Sequence, residues 1–202
     1  MLVIPITIRS HAMIRRVLPL AVLMLVSAVS FTQEKASVGL WGGLAFPTGH
    51  YGDVYDTGFG FSGSFEYRLN QALGFTASVG NFRWSVSEVV QDQFGLGHEE
   101  EYESSMSTIP ILGGIRYYLL PGDFSPYACV ELGIHFVKWE ETFLDETLTG
   151  SGSDYGVALG AGTLIYLNSN IQIDAHIKYN SINTENESIT FVSTLIGMRY
   201  AF

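Results

Sequence analysis

Residues 171–180 alternate between apolar and polar side chains without interruption. The segment reads IQIDAHIKYN, with isoleucine, alanine and tyrosine at the odd positions and polar residues at the even ones. A period of two residues predicts an extended strand with two unlike faces. In a soluble sheet the polar face would contact water, whereas in a membrane barrel it would line the interior and the apolar face would contact lipid. The face that meets water therefore decides the class of protein.

The composition favours a chain that keeps much of its surface away from water. Hydrophobic residues make up 47% of the 202 residues and charged residues only 15%, whereas about a quarter is usual in soluble proteins. The net charge of −10 argues against nucleic acid as a partner, because phosphate backbones are bound by Lys and Arg. The single cysteine, Cys129, excludes an intramolecular disulfide and a multi-cysteine metal site.

The beginning of the chain has the pattern of a secretory signal peptide. Arg15 and Arg16 form a basic region, residues 17–26 (VLPLAVLMLV) form an apolar run, and residues 27–30 (SAVS) supply small side chains for cleavage. The apolar run is shorter than the ~20 residues that a membrane-spanning helix needs. No later segment is a continuous apolar stretch of that length, so we expect no helical membrane span.

We interpret residues 1–32 as the signal peptide, with Met13 as the true start of translation. Cleavage is expected between Ser30 and Gln33. The remaining residues, 33–202, are then one exported domain of moderate size.

Segments throughout this domain resemble the opening one in their alternation, and none favours a helix. We predict strands at residues 36–45, 59–68, 72–84, 107–118, 127–138, 154–166, 171–180 and 189–202. This pattern predicts an all-β fold, an eight-stranded antiparallel up-and-down transmembrane β-barrel.

The connections between the predicted strands alternate in length. The short turns are residues 69–71, 120–125 and 168–170, and the longer polar connections are residues 46–58, 85–106, 139–153 and 181–188. In an up-and-down barrel the long connections then share one end, as in outer-membrane barrels, whose periplasmic turns are tight. An even strand number places both mature termini at the end with the short turns, the predicted periplasmic side.

Aromatic residues near the predicted strand ends favour a membrane barrel over a soluble, lipocalin-like one. Such residues form girdles at membrane interfaces. The predicted girdle residues are Tyr67, Trp84, Tyr117, Trp139, Tyr179 and Tyr200.

The polar faces of the predicted strands are suited to the inside of a narrow barrel. They are rich in Gly, Ser and Ala, which fit a crowded lumen, and they carry charges of both signs that would pair there. Unpaired charges would be costly to bury, so we interpret the cluster as structural. Its predicted members are Glu66, Arg68, Arg116, Glu131, His135, Asp174, His176, Lys178 and Arg199.

The last residues add a family resemblance. Met198, Tyr200 and Phe202 occupy alternate positions, and a terminal Phe in such a pattern resembles the insertion signal of Gram-negative outer-membrane proteins. The stretches PILGGIRYYL, PYACVELGIHF, GVALGAG and IGMRYAF resemble eight-stranded barrel domains of the OmpA, OmpX and OprF-N-terminal kind. The resemblance implies a barrel in the cell outer membrane, with lipid and lipopolysaccharide around it and the barrel-assembly machinery as a partner during biogenesis. It implies no single activity.

The connection 85–106 is strongly acidic. Carboxylates can bind Ca²⁺ or Mg²⁺, but no EF-hand spacing is present, so we favour a solvated outer loop without a metal site. A milder alternative is that divalent ions bridge these carboxylates to anionic lipopolysaccharide. The acidic residues are Glu88, Asp92, Glu99, Glu100, Glu101 and Glu103.

Two predicted strand faces carry a histidine near a carboxylate. Glu131 with His135, and Asp174 with His176, would each make half of an acid–base pair. No serine stands out beside either pair and no G-x-S-x-G sequence is present. We therefore expect no catalysis and no cofactor.

The sequence favours a monomeric barrel with a structural or surface-interaction role, such as membrane integrity or adhesion. It does not identify the surface ligand that such a role would involve. The main alternative is a small porin that passes ions or small solutes. A lipid-modifying enzyme of the outer membrane and a soluble lipocalin-like carrier are less favoured alternatives.

Overall fold

A computed structural model describes residues 36–86, 102–120, 122–143, 146–184 and 187–202. The predicted signal peptide and its cleavage site lie outside these residues. Most of the predicted acidic loop also lies outside them. Of its six carboxylates only Glu103 falls within a strand, where its backbone alone is described.

Eight strands and one short 3₁₀ helix make up the described chain. They are β1 (Ala36–Thr48), a 3₁₀ helix (Gly49–Asp53), β2 (Gly58–Arg68), β3 (Leu73–Ser85), β4 (Tyr102–Tyr118), β5 (Phe124–Phe143), β6 (Glu146–Tyr166), β7 (Ile171–Asn183) and β8 (Ser188–Ala201). Within the described part of the chain, no helical segment has the length and apolar character that a membrane span needs.

Each strand pairs antiparallel with the next, and β8 pairs with β1 to close the barrel. Along this seam Ser37 pairs with Ala201 and Thr48 pairs with Thr190. Closure pairs the backbone N–H and C=O groups of the wall internally, as a hydrocarbon environment requires. The prediction of an all-β, eight-stranded antiparallel up-and-down barrel is confirmed.

The alternation in β7 shows which face is enclosed. Gln172 and Asp174 are 5% and 0% exposed, whereas Ile177 and Tyr179 are 50% and 46% exposed. The polar set therefore lines the interior and the apolar set faces outward. A soluble lipocalin-like barrel would have these two faces reversed, so the fold does not support that alternative.

All eight strands contribute large apolar side chains to the outer surface. A belt of this extent far exceeds the apolar patches of soluble monomers, and it matches the apolar band of a membrane barrel. Representative exposed residues, one from each strand, are Leu40, Phe61, Val79, Ile111, Leu132, Leu159, Ile177 and Ile196.

The two ends of the barrel differ. We call the end that carries connections 69–72, 119–123 and 167–170 the turn end, and the opposite end the loop end. At the turn end Asn70 and Asn168 shape their turns in the same way. Each side-chain oxygen accepts hydrogen bonds from backbone N–H groups two and three residues later, at 2.8–2.9 Å, a stabilising role typical of Asn in turns.

Two of the long connections predicted at the loop end have the wrong bounds, because the strands that flank them are longer than predicted. Residues 139–143 and 146–153 belong to paired strands, because β5 continues to Phe143 and β6 begins at Glu146, with Trp139 opposite Gly150. Residues 181–183 and 188 are paired as well, with Asn183 opposite Ser188. Strands that rise beyond a membrane have water on both faces, so they lose the apolar alternation and their polar sequences suggest loops.

Candidate functional site in the barrel interior

The interior near the turn end contains a cluster of buried charges. Arg199 Nη2 lies 2.7 Å from Glu66 Oε2, and Arg116 Nη1 lies 3.0 Å from Asp174 Oδ2. Cross-contacts of 3.4 Å between Arg116 and Glu66, and of 3.7 Å between Arg199 and Asp174, complete a ring of two cations and two carboxylates. Arg68 joins it, because its Nε lies 3.3 Å from Glu66 Oε1. We call these five residues the charged cluster.

Two tyrosines complete the charged cluster. Tyr118 donates its hydroxyl hydrogen to Glu66 Oε1 at 2.7 Å, and Tyr127 donates to Asp174 Oδ1 at 2.6 Å. The guanidinium carbon of Arg116 lies 4.0 Å from the centroid of the Tyr127 ring, a cation–π contact. Sequence analysis missed both tyrosines as site residues. Tyr118 lies two positions after the inward Arg116 on β4, and Tyr127 lies four positions before the inward Glu131 on β5. This shared parity was the available signal.

A second ion pair lies beside the charged cluster. Lys178 Nζ is 2.8 Å from Glu131 Oε2, and Thr76 Oγ1 is 3.5 Å from the other oxygen of Glu131. His176 Nδ1 is 3.6 Å from Asp174 Oδ1 and forms no hydrogen bond within the described residues. The structure thus brings eight of the nine predicted lumenal residues into contact with a charged partner.

The ninth residue, His135, stands apart from these charges. Its side chain is fully buried, and its Nδ1 lies 3.4 Å from Thr108 Oγ1. The opposite ring nitrogen has no hydrogen-bond partner within the described residues. Four residues of separation along β5 place His135 about 13 Å beyond Glu131 toward the loop end, which explains why the two do not pair.

An aromatic plug fills the lumen toward the loop end. It consists of Trp41, Phe82, Trp84 and Phe191, with ring centroids of Trp84 and Phe191 4.9 Å apart and those of Phe82 and Phe191 5.3 Å apart. Trp84 and Phe191 are each 1% exposed. The plug is extended by the apolar residues Ala45, Met106, Val137, Ile182, Ile189 and Leu195.

The prediction that Trp84 belongs to an interface girdle is wrong. Its ring lies inside the barrel, where Nε1 donates a hydrogen bond to the carbonyl oxygen of Ala45 at 3.0 Å. Residues 82 and 84 share the inward parity of Thr76, so position along the strand was the informative signal and aromatic character was not. The other predicted girdle residues face outward, with exposures of 42–54%: Tyr67, Tyr117, Trp139, Tyr179 and Tyr200.

Small inward residues make room for the plug. A methyl group added at Gly60 would lie 2.2 Å from a ring carbon of Phe82, and one added at Gly39 would lie 2.3 Å from a ring carbon of Trp41. Such distances are far below van der Waals contact. The Gly-rich inward face therefore accommodates large neighbours, which accounts for part of the composition that suggested a crowded lumen.

The remaining predicted site residues lie elsewhere. Met198 and Tyr200 face outward, at 57% and 51% exposure, and Phe202 follows the last residue of β8. Their role as an insertion signal stays a prediction. Among the residues that the structure describes, no group of three or more His, Cys, Asp or Glu side chains is arranged to hold a metal ion.

A closed eight-stranded barrel with an apolar outer belt and a filled polar interior defines a transmembrane β-barrel of the outer-membrane class. The model of the outer membrane protein beta-barrel domain family matches residues 18–202, so the chain belongs to that family. No match was found among curated proteins.

Solved outer-membrane barrels share the fold. Neisserial surface protein A has a TM-score of 0.59 and 18% identity, over 83% of this chain and 97% of that chain. Ail, the attachment invasion locus protein of Yersinia pestis, has a TM-score of 0.55 and 17% identity, over 84% and 100%. A major outer membrane protein from Thermus thermophilus has a TM-score of 0.51 and 14% identity, over 83% and 99%. These identities are too low to carry more than the fold.

Proposed function

We propose that this protein is a sealed outer-membrane barrel with a structural and surface-interaction role, supporting membrane integrity or adhesion. In this proposal the turn end and both mature termini face the periplasm, and the loop end faces the outside. The protein works as a monomer, surrounded by lipid and lipopolysaccharide, after insertion by the barrel-assembly machinery. One observation carries the proposal: the aromatic plug and the charged cluster lie in series along the lumen.

The two layers would oppose ion passage for different reasons. Ions crossing the plug would lose water next to Trp84, Phe191 and Ile182, which offer almost no exposed surface and little compensation for lost hydration. Ions crossing the charged cluster would have to displace carboxylates and guanidinium groups that already satisfy one another. Eight strands also enclose an interior that side chains just fill.

The loop end supplies the surface for interaction. β5 and β6 have 20 and 21 residues, and β6 pairs with β7 only from Tyr155 onward. The β5–β6 hairpin therefore extends beyond β7, where it exposes 71% of Leu148. A long exposed strand of this kind presents backbone groups and side chains to a partner.

Charge suggests what the hairpin would bind. A structure of Ail was solved in complex with the heparin analogue sucrose octasulfate. The present chain carries a net charge of −10. Glu140 and Glu141 stand on the hairpin, where Lys138 is the one described Lys or Arg, and Arg83 of β3 lies near Glu140. We propose that a polyanion of that type is disfavoured, whereas a cationic partner or divalent ions that bridge to lipopolysaccharide are favoured.

The candidate acid–base residues support a role without catalysis. Glu131 is bound by Lys178, and Asp174 is bound by Arg116 and Tyr127. His135 is fully buried inside the barrel, whereas a lipid substrate would approach from outside. These residues stabilise the interior in this proposal.

Single-channel conductance of the refolded mature protein in a planar bilayer tests the proposal. The expected result is a silent bilayer, with insertion verified separately by protease protection. Discrete and reproducible conductance steps from the unaltered protein would overturn the proposal that the lumen is sealed.

A small porin is the second candidate. It is favoured by the half-buried serines Ser62 and Ser64 on the inward face of β2, and by Lys178, whose side chain remains 12% exposed. These residues leave room for water in the middle of the lumen. If the bilayer experiment shows steps, ion selectivity that changes in Lys178→Glu would establish the porin, whereas selectivity unchanged by that substitution would place the ion path elsewhere.

A further inference from the structure

We propose that the turn end of the lumen contains a binding site for one oxyanion, a phosphate group. A pocket of about 70 Å³ opens there and is lined by the polar residues Ser37, Arg68, Tyr166, Ser169 and Gln172. A single water needs only ~10–15 Å³ of such space, so the pocket accommodates a group of several heavy atoms. No carboxylate lines it. The assignment of its ligand to the periplasm rests on the orientation proposed above.

Arg68 supplies the main charge of this turn-end pocket. Its Nε reaches Glu66 Oε1 at 3.3 Å, and its guanidinium carbon lies 4.0 Å from the centroid of the Tyr118 ring. The Arg68 side chain is 25% exposed and lines the pocket, so part of the guanidinium remains open to it. The guanidinium is therefore held in place with donors to spare. Its planar fork matches the geometry of phosphate and carboxylate groups.

The charged cluster contains more cations than carboxylates. The charged cluster contains three arginines and two carboxylates, and three cations against two anions leave an excess of one positive charge. Glu66 already accepts contacts from Arg199, Arg116 and Tyr118 at 2.7, 3.4 and 2.7 Å. Arg68 is the cation of the cluster that lines the pocket, and its side chain is 25% exposed, so an anion in the pocket would pair with a partly desolvated guanidinium.

Two further polar side chains are available to such an anion. Gln172 is only 5% exposed and its side-chain amide lines the pocket. Ser37 Oγ accepts a hydrogen bond from Arg199 Nη2 at 2.5 Å, so its own hydroxyl hydrogen is free for a second partner. A carboxamide and a hydroxyl beside the Arg68 guanidinium are hydrogen-bond donors that suit an oxyanion.

Phosphate chemistry has two sources in this setting. Inorganic phosphate in the periplasm would enter the pocket from water, whereas the headgroup of an inner-leaflet phospholipid would enter from the membrane edge. Both present the same oxyanion to Arg68. The test therefore separates the two sources.

Binding is measured by titration calorimetry on the full mature protein in a neutral sugar detergent free of phosphate. One arm uses inorganic phosphate and the other a short-chain phosphatidylglycerol, with the matching diacylglycerol as its control. Saturable binding in either arm supports the site, and binding in the lipid arm alone identifies the headgroup as the source. Absence of saturable binding in both arms would overturn the proposal.

Three variants localise the binding. Arg68→Gln is expected to weaken the affinity about tenfold or more, because it removes a charge-assisted hydrogen bond. Gln172→Leu leaves every ion pair intact and is expected to weaken it severalfold, which keeps the test decisive if Arg68→Gln fails to fold. Arg83→Gln serves as the control, because it also removes one arginine charge, but from an exposed position at the loop end of β3. This variant is expected to bind with the affinity of the unaltered protein. Equal affinity in all variants would overturn the assignment, whereas the conductance result would be unaffected.

Discussion

Arg199 Nη2 lies 2.7 Å from Glu66 Oε2, and this contact joins β8 to β2 across the inner face of β1. The two residues are 133 positions apart and their side chains are 1% and 0% exposed. The pair lies directly inside the seam at which the first and last strands close the barrel. A buried interaction at this place stabilises closure and not merely one strand pair.

Glu66→Ala is therefore expected to destabilise the barrel by about 3–5 kcal/mol, because it leaves buried arginines without their carboxylate. Urea unfolding in lipid vesicles, followed by tryptophan fluorescence, measures the change. Glu140→Ala serves as the control, because Glu140 pairs with Lys138 at an exposed position and its loss should change nothing measurable. Equal effects of the two substitutions would contradict a closure role for the cluster.

Removal of the plug should both weaken and open the barrel. Trp84→Ala and Phe191→Ala are each expected to cost about 3–5 kcal/mol, as large-to-small changes in a packed core do. The double variant should also show conductance steps that the unaltered protein lacks. Trp139→Ala removes an outward indole that is 43% exposed and should leave the bilayer silent. A silent double variant would place the seal at the charged cluster.

The inward glycines provide a test of crowding. Gly60→Ala would bring a methyl group against Phe82 and is expected to cost about 1–3 kcal/mol by overpacking. Gly42→Ala is its control, because an added methyl group there meets only the Gly60 carbonyl oxygen at 3.9 Å. Thermal unfolding in detergent compares the two, and similar midpoints would show that the interior has spare volume beside Phe82.

The extent of the membrane belt can be tested with a charge. Leu159→Arg places a charge on the lipid face near the middle of β6 and is expected to cost about 2–4 kcal/mol. Leu148→Arg changes the same residue type on the same strand, in the part of the hairpin that extends beyond β7, and should be neutral. Unfolding in vesicles measures both, and a large cost at position 148 would mean that the membrane reaches the hairpin.

Deletion of Phe202 tests the predicted insertion signal. We expect the amount of protein in the outer membrane to fall severalfold, because the assembly machinery would no longer bind its terminal residue. The fall in membrane level should be far larger than any loss of barrel stability measured by urea unfolding of the refolded variant, since the deletion leaves all of β8 in place. Unchanged membrane levels would show that Phe202 is dispensable for insertion.

Particular residues show where prediction from the sequence succeeded and where it did not. Strand number followed from a period of two, which is a local property of each segment. The inward direction of Asp174 followed from that period together with the small residues and mixed charges of the polar faces and the positions of the aromatic residues. The ends of β5 and β6 at the loop end were missed, because residues such as those from Trp139 to Phe143 pair without the alternation of apolar and polar side chains that was used to find strands. Trp84 was misplaced, because its aromatic character was weighted above its parity.

The sequence by itself determined that eight amphipathic strands form, which of their faces is polar, and that the chain is suited to an outer membrane. Only the tertiary structure decided that Glu66 pairs with Arg199, that Tyr118 and Tyr127 complete the charged cluster, and that four aromatic rings close the lumen. The physical reason is that inward residues of strands that are not neighbours meet according to the register and tilt of the closed barrel. These quantities arise from all eight pairings together, and no single strand encodes them.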